Sequence, residues 1–182
     1  RVPFALRWGK MVNAGREVDD FISFADIAPT LLEIAGAEVP DEMTGRSFVN
    51  VIRSQKSGMI DSDNRSDIVF GRERHVPSQE KPNMGGYPSR GYRTQKFLYI
   101  HNYKPDMWPA GTGRLGHTNY PNQWYADCDG SPTKNYIIKN KNKDKAQILA
   151  FKLSFAKRPV EELYDLKNDP DQINNIAANP DY

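Results

Sequence analysis

The chain has 182 residues, 38% of them hydrophobic, with 25 Lys and Arg against 23 Asp and Glu and a formal charge of +2. That length suits one domain or a domain with a subdomain, able to bury roughly two-thirds of its unfolded surface. The charge balance gives no sign of a nucleic-acid or anionic-membrane binder, and no apolar run approaches the roughly 20 residues of a membrane span. The first residues lack the basic, apolar and cleavage regions of a signal peptide.

In chain order, residues 2–8 (Val-Pro-Phe-Ala-Leu-Arg-Trp) predict a short buried strand, with Pro3 near its start. Residues 18–23 predict a second extended piece. Asp26 is placed to cap a helix whose apolar face is Ile27, Leu31, Ile34 and Ala35, with Pro29 in the first turn and Gly36 at the end. A Thr44-Gly45-Arg46 turn leads to a short helix over 47–54. The polar stretch 55–66 marks a boundary, dividing the chain into 1–55 and 56–182.

Beyond it the pattern turns to strands over 67–71, 90–95 and 96–103. In the last of these Leu98 and Ile100 face one way while Phe97, Tyr99 and His101 face the other. Residues 104–130 carry no period, and a loop of that length is usually functional or mobile. Two helices follow over 132–140 and 144–155, the second docking its Ile148, Leu149, Phe151, Leu153 and Phe155 against the sheet. Residues 162–165 read as a final strand, and Asp171 opens a last short helix.

Lys139, Lys141, Lys143 and Lys145 form a basic run that reads as a solvated face. The single cysteine, Cys128, excludes an intrachain disulfide, and its acidic turn disfavours a reactive thiolate. The acidic run 61–67 mimics a calcium loop, but Arg65 occupies a ligand position and neither the glycine nor the closing glutamate is present.

Four segments recur together in one known family: Arg1-Val2-Pro3-Phe4; Asp26-Ile27-Ala28-Pro29-Thr30-Leu31-Leu32; Gly45-Arg46-Ser47; and Glu162-Leu163-Tyr164-Asp165-Leu166 with Asp169-Pro170 and Asn174-Asn175-Ile176-Ala177. In that order they resemble the C-terminal portion of the type I, formylglycine-dependent sulfatases. Gly71-Arg72-Glu73-Arg74-His75, Gly86-Tyr87-Pro88-Ser89-Arg90, Tyr99-Ile100-His101-Asn102-Tyr103 and Asp106-Met107-Trp108-Pro109-Ala110-Gly111 resemble the heparan N-sulfatase, or sulfamidase, branch.

The resemblance implies an α/β fold of alkaline-phosphatase-like type, incomplete here. Residues 1–55 would end the catalytic domain, and 56–182 would form a small α+β subdomain of antiparallel strands, a long loop and helices. It implies hydrolysis of sulfate esters or sulfamates on a glycosaminoglycan-type sugar by a parent enzyme, periplasmic or secreted, that uses calcium and a formylglycine. The formylglycine segment, Cys/Ser-x-Pro-x-Arg, does not occur in this chain. No catalytic or metal-binding residue is therefore expected here, and the chain alone should be inactive. The expected partners are a sulfated glycan and the upstream remainder of the sulfatase domain, without nucleic acid or membrane.

For substrate contact the residues favoured are Arg72, Glu73, Arg74 and His75, which follow a strand with a glycine exit, together with Arg90 and His101. Forked Arg donors suit sulfate and carboxylate groups. Arg74 would pair an anionic group, His75 would donate to a hydroxyl or sulfate oxygen, and Glu73 would orient either one. For Arg90, as for Arg93, internal ion pairing is the reading preferred over substrate contact, and for His101 half-buried packing. Trp108, Trp124 and Tyr125 suit either a sugar face or loop anchoring. A non-catalytic glycan-binding module and an alkaline-phosphatase-superfamily phosphodiesterase or phosphonate hydrolase are the alternatives.

Overall fold

The computed structural model describes residues 2–73, 75–82, 85–120 and 122–182. The chain forms two compact units, 1–68 and 69–182. The division falls later than the polar stretch 55–66, because that stretch is stitched back to residues 17–20. Asp19 and Gly58 exchange backbone bonds with their surroundings at 3.1 and 2.9 Å, through Gly58 O and Glu17 O. The buried Asp20 carboxylate accepts from the amides of Ile60 and Asp61 at 2.8 and 2.7 Å.

The first unit contains a 3-10 turn (Phe24–Asp26) and helices α1 (Ile27–Ala35), α2 (Val49–Arg53) and α3 (Ser62–Arg65). Gly36 ends α1 at a left-handed φ of 69°, as a helix C-terminus commonly requires. Asp26, however, does not cap α1 with its side chain. The turn before the helix directs that carboxylate elsewhere, where it accepts from the Ser23 amide at 3.0 Å, the Arg46 amide at 2.8 Å and Arg65 Nη1 at 2.9 Å. Arg65 is buried, and its other donors reach the carbonyls of Arg46 and Ser47 at 2.7 and 2.9 Å.

Gly45 makes this possible. A Cβ there would lie 2.0 Å from the Ala25 carbonyl oxygen, so only glycine lets the 44–46 turn approach closely enough for the Arg46 amide to reach Asp26. The core is Phe48, Val51 and Ile52, with Ile27 and Ile34 of α1 packed against it. Leu31, expected on that face, is exposed; Pro29 and Thr30 are buried instead, with Thr30 Oγ1 accepting from the Phe48 amide at 3.0 Å.

Residues 2–8 are not a buried strand. The segment has no ladder partner among the described residues, and Val2, Phe4 and Leu6 are exposed. An apolar alternation predicts an extended backbone, but burial needs a neighbouring strand. The 18–23 piece forms an isolated bridge between Val18 and Gly58, and its Phe21 amide donates to Arg65 O at 3.0 Å.

The second unit is built on a four-stranded sheet in the order β1 (Asp67–Arg72), β2 (Ser89–Thr94), β3 (Phe97–Asn102), β4 (Glu161–Asp165). The β2–β3 and β3–β4 pairs are antiparallel, with Arg90 opposite His101, Tyr92 opposite Tyr99 and Leu98 opposite Tyr164. One face is buried through Leu98, Asn102, Glu162 and Tyr164. Its polar atoms satisfy one another: Glu162 accepts from Arg158 Nη2 at 2.6 Å, from Asn102 Nδ2 at 2.8 Å and from the Tyr164 hydroxyl.

Helices α4 (Pro132–Lys139) and α5 (Lys145–Phe155) form a hairpin. α5 does not dock its apolar residues on the sheet. It packs on α4 and on Tyr125 through Ile138, Phe151 and Phe155, leaving Ile148, Leu149 and Leu153 exposed. Tyr125, Trp108 and Trp124 are thereby committed to this cluster, with Tyr125 and Phe155 ring centroids 5.0 Å apart.

The expected helix at Asp171 is absent, since side chains claim the backbone donors it would need. Asp169 accepts from the amides of Ile173 and Asn174 at 3.1 and 2.8 Å. The tail covers the outer edge of β4 instead. The Leu163 amide donates to Asn175 Oδ1 at 2.9 Å, and the Ile176 amide to Leu163 O at 2.9 Å.

Burial opposes the charged form of Asp26, but the Arg46 amide, the Arg65 guanidinium and the Ser23 amide outweigh it and hold the pKa below the ordinary 3.8. Because the folded value is the lower one, its stabilising contribution is complete above the unfolded value, about pH 4, and is lost as pH falls through the folded value. Asp26→Ala leaves Arg65 buried without its counter-charge and should cost about 3–5 kcal/mol. Denaturant unfolding at pH 7 reads that loss, and the gap between wild type and variant should narrow below about pH 4.

Candidate functional site

The sequence 68–76 leaves β1 at its carboxyl end, and Gly86 to Ser89 leads into the amino end of β2. These two connections bring Glu73 and Arg90 into an ion pair. Beside the pair lies a hollow of about 460 Å³ lined by Glu73, Gly86, Pro88 and Lys104. Both members of the pair are substantially exposed, at 65% and 46% of the side chain, so their charges face solvent.

Behind this wall Arg72 and His75 converge on one carboxylate. Asp127 Oδ2 lies 3.2 Å from Arg72 Nη2, and its Oδ1 lies 3.2 Å from His75 Nδ1. Oδ1 also accepts from the Val76 amide at 2.9 Å. The Asp127 side chain is 7% exposed, whereas His75 is 71% exposed, so the acid anchors a ring that remains accessible. A ladder of loop bonds sets Asp127 there: Thr112 N to Ser78 O at 3.0 Å, Tyr125 N to Thr112 O at 2.8 Å, and Asp127 N to Ala110 O at 3.1 Å. Arg72 also donates to Pro109 O and lies over the Tyr87 ring at 6.0 Å. Burial and the nearby Glu162 carboxylate push the Tyr87 phenol up to about 12, so it stays protonated at neutral pH.

On the more open sheet face a second hollow of about 320 Å³ is lined by Val69, Arg90, Tyr92, Tyr99, His101 and Tyr103. Arg90 lies over the Tyr103 ring at 5.9 Å, and the His101 and Tyr103 rings meet edge to face at 4.6 Å. Tyr99 donates to Glu161 at 2.6 Å, a bond that raises its pKa. The Glu73–Arg90 pair thus joins a polar hollow to an aromatic one.

Of the residues expected from sequence, Arg72, Glu73, His75, Arg90 and His101 are gathered here, and Arg74 lies outside the described residues. Asp127 and Lys104 were missed. Asp127 is 51 positions from Val76 in the chain, and nothing local marks it as the shared acceptor. The assembly presents guanidinium, ammonium and imidazole groups beside tyrosine rings, a combination suited to an anionic sugar.

Compared with solved structures, the chain superposes over 97% of its length on BT4656 in complex with its substrate D-glucosamine-2-N,6-O-disulfate, with a TM-score of 0.53 and 24% identity, covering 24% of that chain. The fold is that of an alkaline-phosphatase-like sulfatase. Residues 1–109, more than half of the chain, match the family model for N-sulphoglucosamine sulphohydrolase, C-terminal, and the chain belongs to that family. Among curated relatives, an ulvan-active sulfatase of Formosa agariphila is 30% identical over the whole chain, which spans 30% of that protein. An N-acetylglucosamine-6-O-sulfatase of Bacteroides thetaiotaomicron is 30% identical over 59% of the chain and 18% of its own length.

The calcium and formylglycine of type I sulfatases do not fit the residues present. Among the described residues no three His, Cys, Asp or Glu side chains cluster as a metal site, and the sequence lacks the Cys/Ser-x-Pro-x-Arg segment. No helix among the described residues is long and apolar enough to cross a membrane.

Asp127→Ala should free the 72–76 loop without disturbing the sheet. Hydrogen exchange at the Val76 amide is expected to accelerate by roughly tenfold or more. The amide of Leu98, inside β3, is the internal control and should keep its protection.

Proposed function

We propose that this chain is the part of a sulfatase that walls the pocket for a sulfated glycan, with the bond-breaking groups held elsewhere in the enzyme. The observation that carries it is the Glu73–Arg90 pair beside Lys104, with Arg72 and His75 fixed behind it by Asp127. Three cations stand against two carboxylates, leaving donor capacity for an added anion. Arg90 and Lys104 would meet a sulfate or carboxylate. With Nδ1 turned to Asp127, His75 would offer Nε2, accepting from a sugar hydroxyl when neutral and donating to a sulfate oxygen when protonated, and Tyr99 and Tyr103 would take the apolar face of a ring. Arg74, in the same loop, belongs to this assignment on its sequence position. None of these residues acts on the scissile bond.

As the finer assignment we take glucosamine units of a heparan-type glycosaminoglycan, supported by the family to which the chain belongs and by the glucosamine-directed relative. The ulvan-active relative, matched over the entire chain, favours a second reading in which the sugar is a unit of ulvan. A polymeric sulfated glycan as substrate supports a location in the periplasm or outside the cell.

Titration of the chain with a sulfated heparin disaccharide, its desulfated counterpart and a sulfated ulvan oligosaccharide tests both. The sulfated disaccharide should bind tightest, and Lys104→Gln or Arg90→Gln should weaken it about three- to tenfold. Equal affinity for sulfated and desulfated forms would sink the pocket assignment. A preference for the ulvan fragment would move it to the second reading.

A further inference from the structure

Charge is distributed unevenly along this nearly neutral chain. Residues 130–160 hold 8 of the 25 Lys and Arg but only one of the 23 Asp and Glu, Asp144, which leaves 17 basic and 22 acidic residues everywhere else. This segment builds α4, the 140–144 turn and α5.

Four of the eight cations have contacts of their own. Lys134 is buried with Nζ donating to Tyr125 O at 2.9 Å and to Cys128 O, Arg158 pairs with Glu162 at 2.6 Å, and Lys157 and Lys141 lie over the Trp108 and Phe151 rings, each at 5.3 Å. Lys141 is nevertheless exposed, as are Lys139, Lys143, Lys145 and Lys152, and none of these five enters an ion pair among the described residues. Asp144, whose Oδ1 caps α5 through the Gln147 amide at 2.9 Å, brings a single negative charge against these five cations.

The arrangement works against local stability. Lys145 is the first residue of α5, where the helix dipole disfavours a cation, and its neighbours at 139, 141 and 143 repel it. Asp144 is the one acid within 130–160 and offsets only part of that repulsion, so a polyanion laid across the hairpin tip would relieve the rest.

We infer that the α4–α5 tip is an exosite for the sulfated polysaccharide chain, separate from the pocket that reads a single sugar unit. The chemistry of its ligand rests on the sulfated-glycan reading above. Lysines suit the task, being flexible point charges with three rotatable donors that tolerate irregularly spaced sulfates. Tyr136, half-exposed on α4 beside this tip, adds a flat face for a sugar ring. The net negative charge of the remaining residues confines a long anion to the hairpin.

The test uses the full chain carrying Lys139, Lys141, Lys143 and Lys145→Gln together, titrated with long heparin, desulfated heparin, duplex DNA and phosphatidylserine vesicles over a range of salt. Wild type should bind long heparin with a steep salt dependence. The quadruple variant should lose roughly tenfold or more in affinity near 0.15 M salt, with the slope of log K against log salt falling by roughly two to three. Lys145→Glu should raise the melting temperature while weakening heparin binding, an opposition that damage to the fold cannot produce.

Unchanged heparin affinity in the quadruple variant, or DNA or vesicles bound as tightly as heparin, would overturn the exosite. Lys104→Gln removes one pocket cation and should lower the heparin salt slope by about one at most, against two to three for the quadruple variant. Loss of sulfate discrimination by the disaccharide, with the heparin result retained, would therefore remove the pocket and keep the exosite.

Discussion

Asp26 and Arg65 meet at 2.9 Å with both side chains nearly withdrawn from water, and the first unit is arranged around them. The carboxylate gathers the amide before the 3-10 turn and the amide after Gly45, while the guanidinium reaches the carbonyls that begin the approach to α2. A chain with so many connecting segments has backbone groups that no helix or strand satisfies, and buried polar groups must find partners. Here charged side chains supply them. Asp20 does so for residues 60 and 61, Asp165 for 167 and 168, and Asp127 for 76.

That solution has a functional side. A carboxylate used to fix a loop is also a fixed charge, and at Asp127 it holds an arginine and a histidine in defined positions without removing them from solvent. The proposed pocket wall is thus positioned by the same kind of interaction that organises the first unit. Glu73 repeats the pattern at the surface, orienting Arg90 against the aromatic hollow on the sheet. The α4–α5 tip differs in its charge balance. Residues 130–160 carry eight Lys and Arg against the single acid Asp144, whereas the remaining residues carry more acid than base.

Much of the second unit was legible in its residues. Alternation over 97–102 placed β3 and its faces, and the stretches 132–140 and 144–155 read as the helices α4 and α5, whereas the choice between sugar face and loop anchor for Trp108, Trp124 and Tyr125 was left to the structure. The site was legible in part. A strand ending in glycine and followed by Arg72, Glu73 and His75 marked the loop that the structure sets beside Arg90, while the acid that anchors it, Asp127, and the nearby cation, Lys104, carried no local mark. The misreadings share a cause. Residues 2–8, Leu31, the outer face of α5 and the tail after Asp171 were each assigned from local pattern, and in each the outcome depended on whether a partner lay opposite.

The sequence by itself determined the elements whose signal lies within a few residues: caps, turns, the period of a strand, and the Gly45 position beside Arg46. It also carried the family, through short segments in a fixed order. Only the tertiary structure decided which polar side chains became anchors and which stayed available. Pairing Asp127 with Arg72 and His75, or Glu73 with Arg90, depends on distances between segments far apart in the chain, and those distances are set by packing rather than by neighbours in sequence.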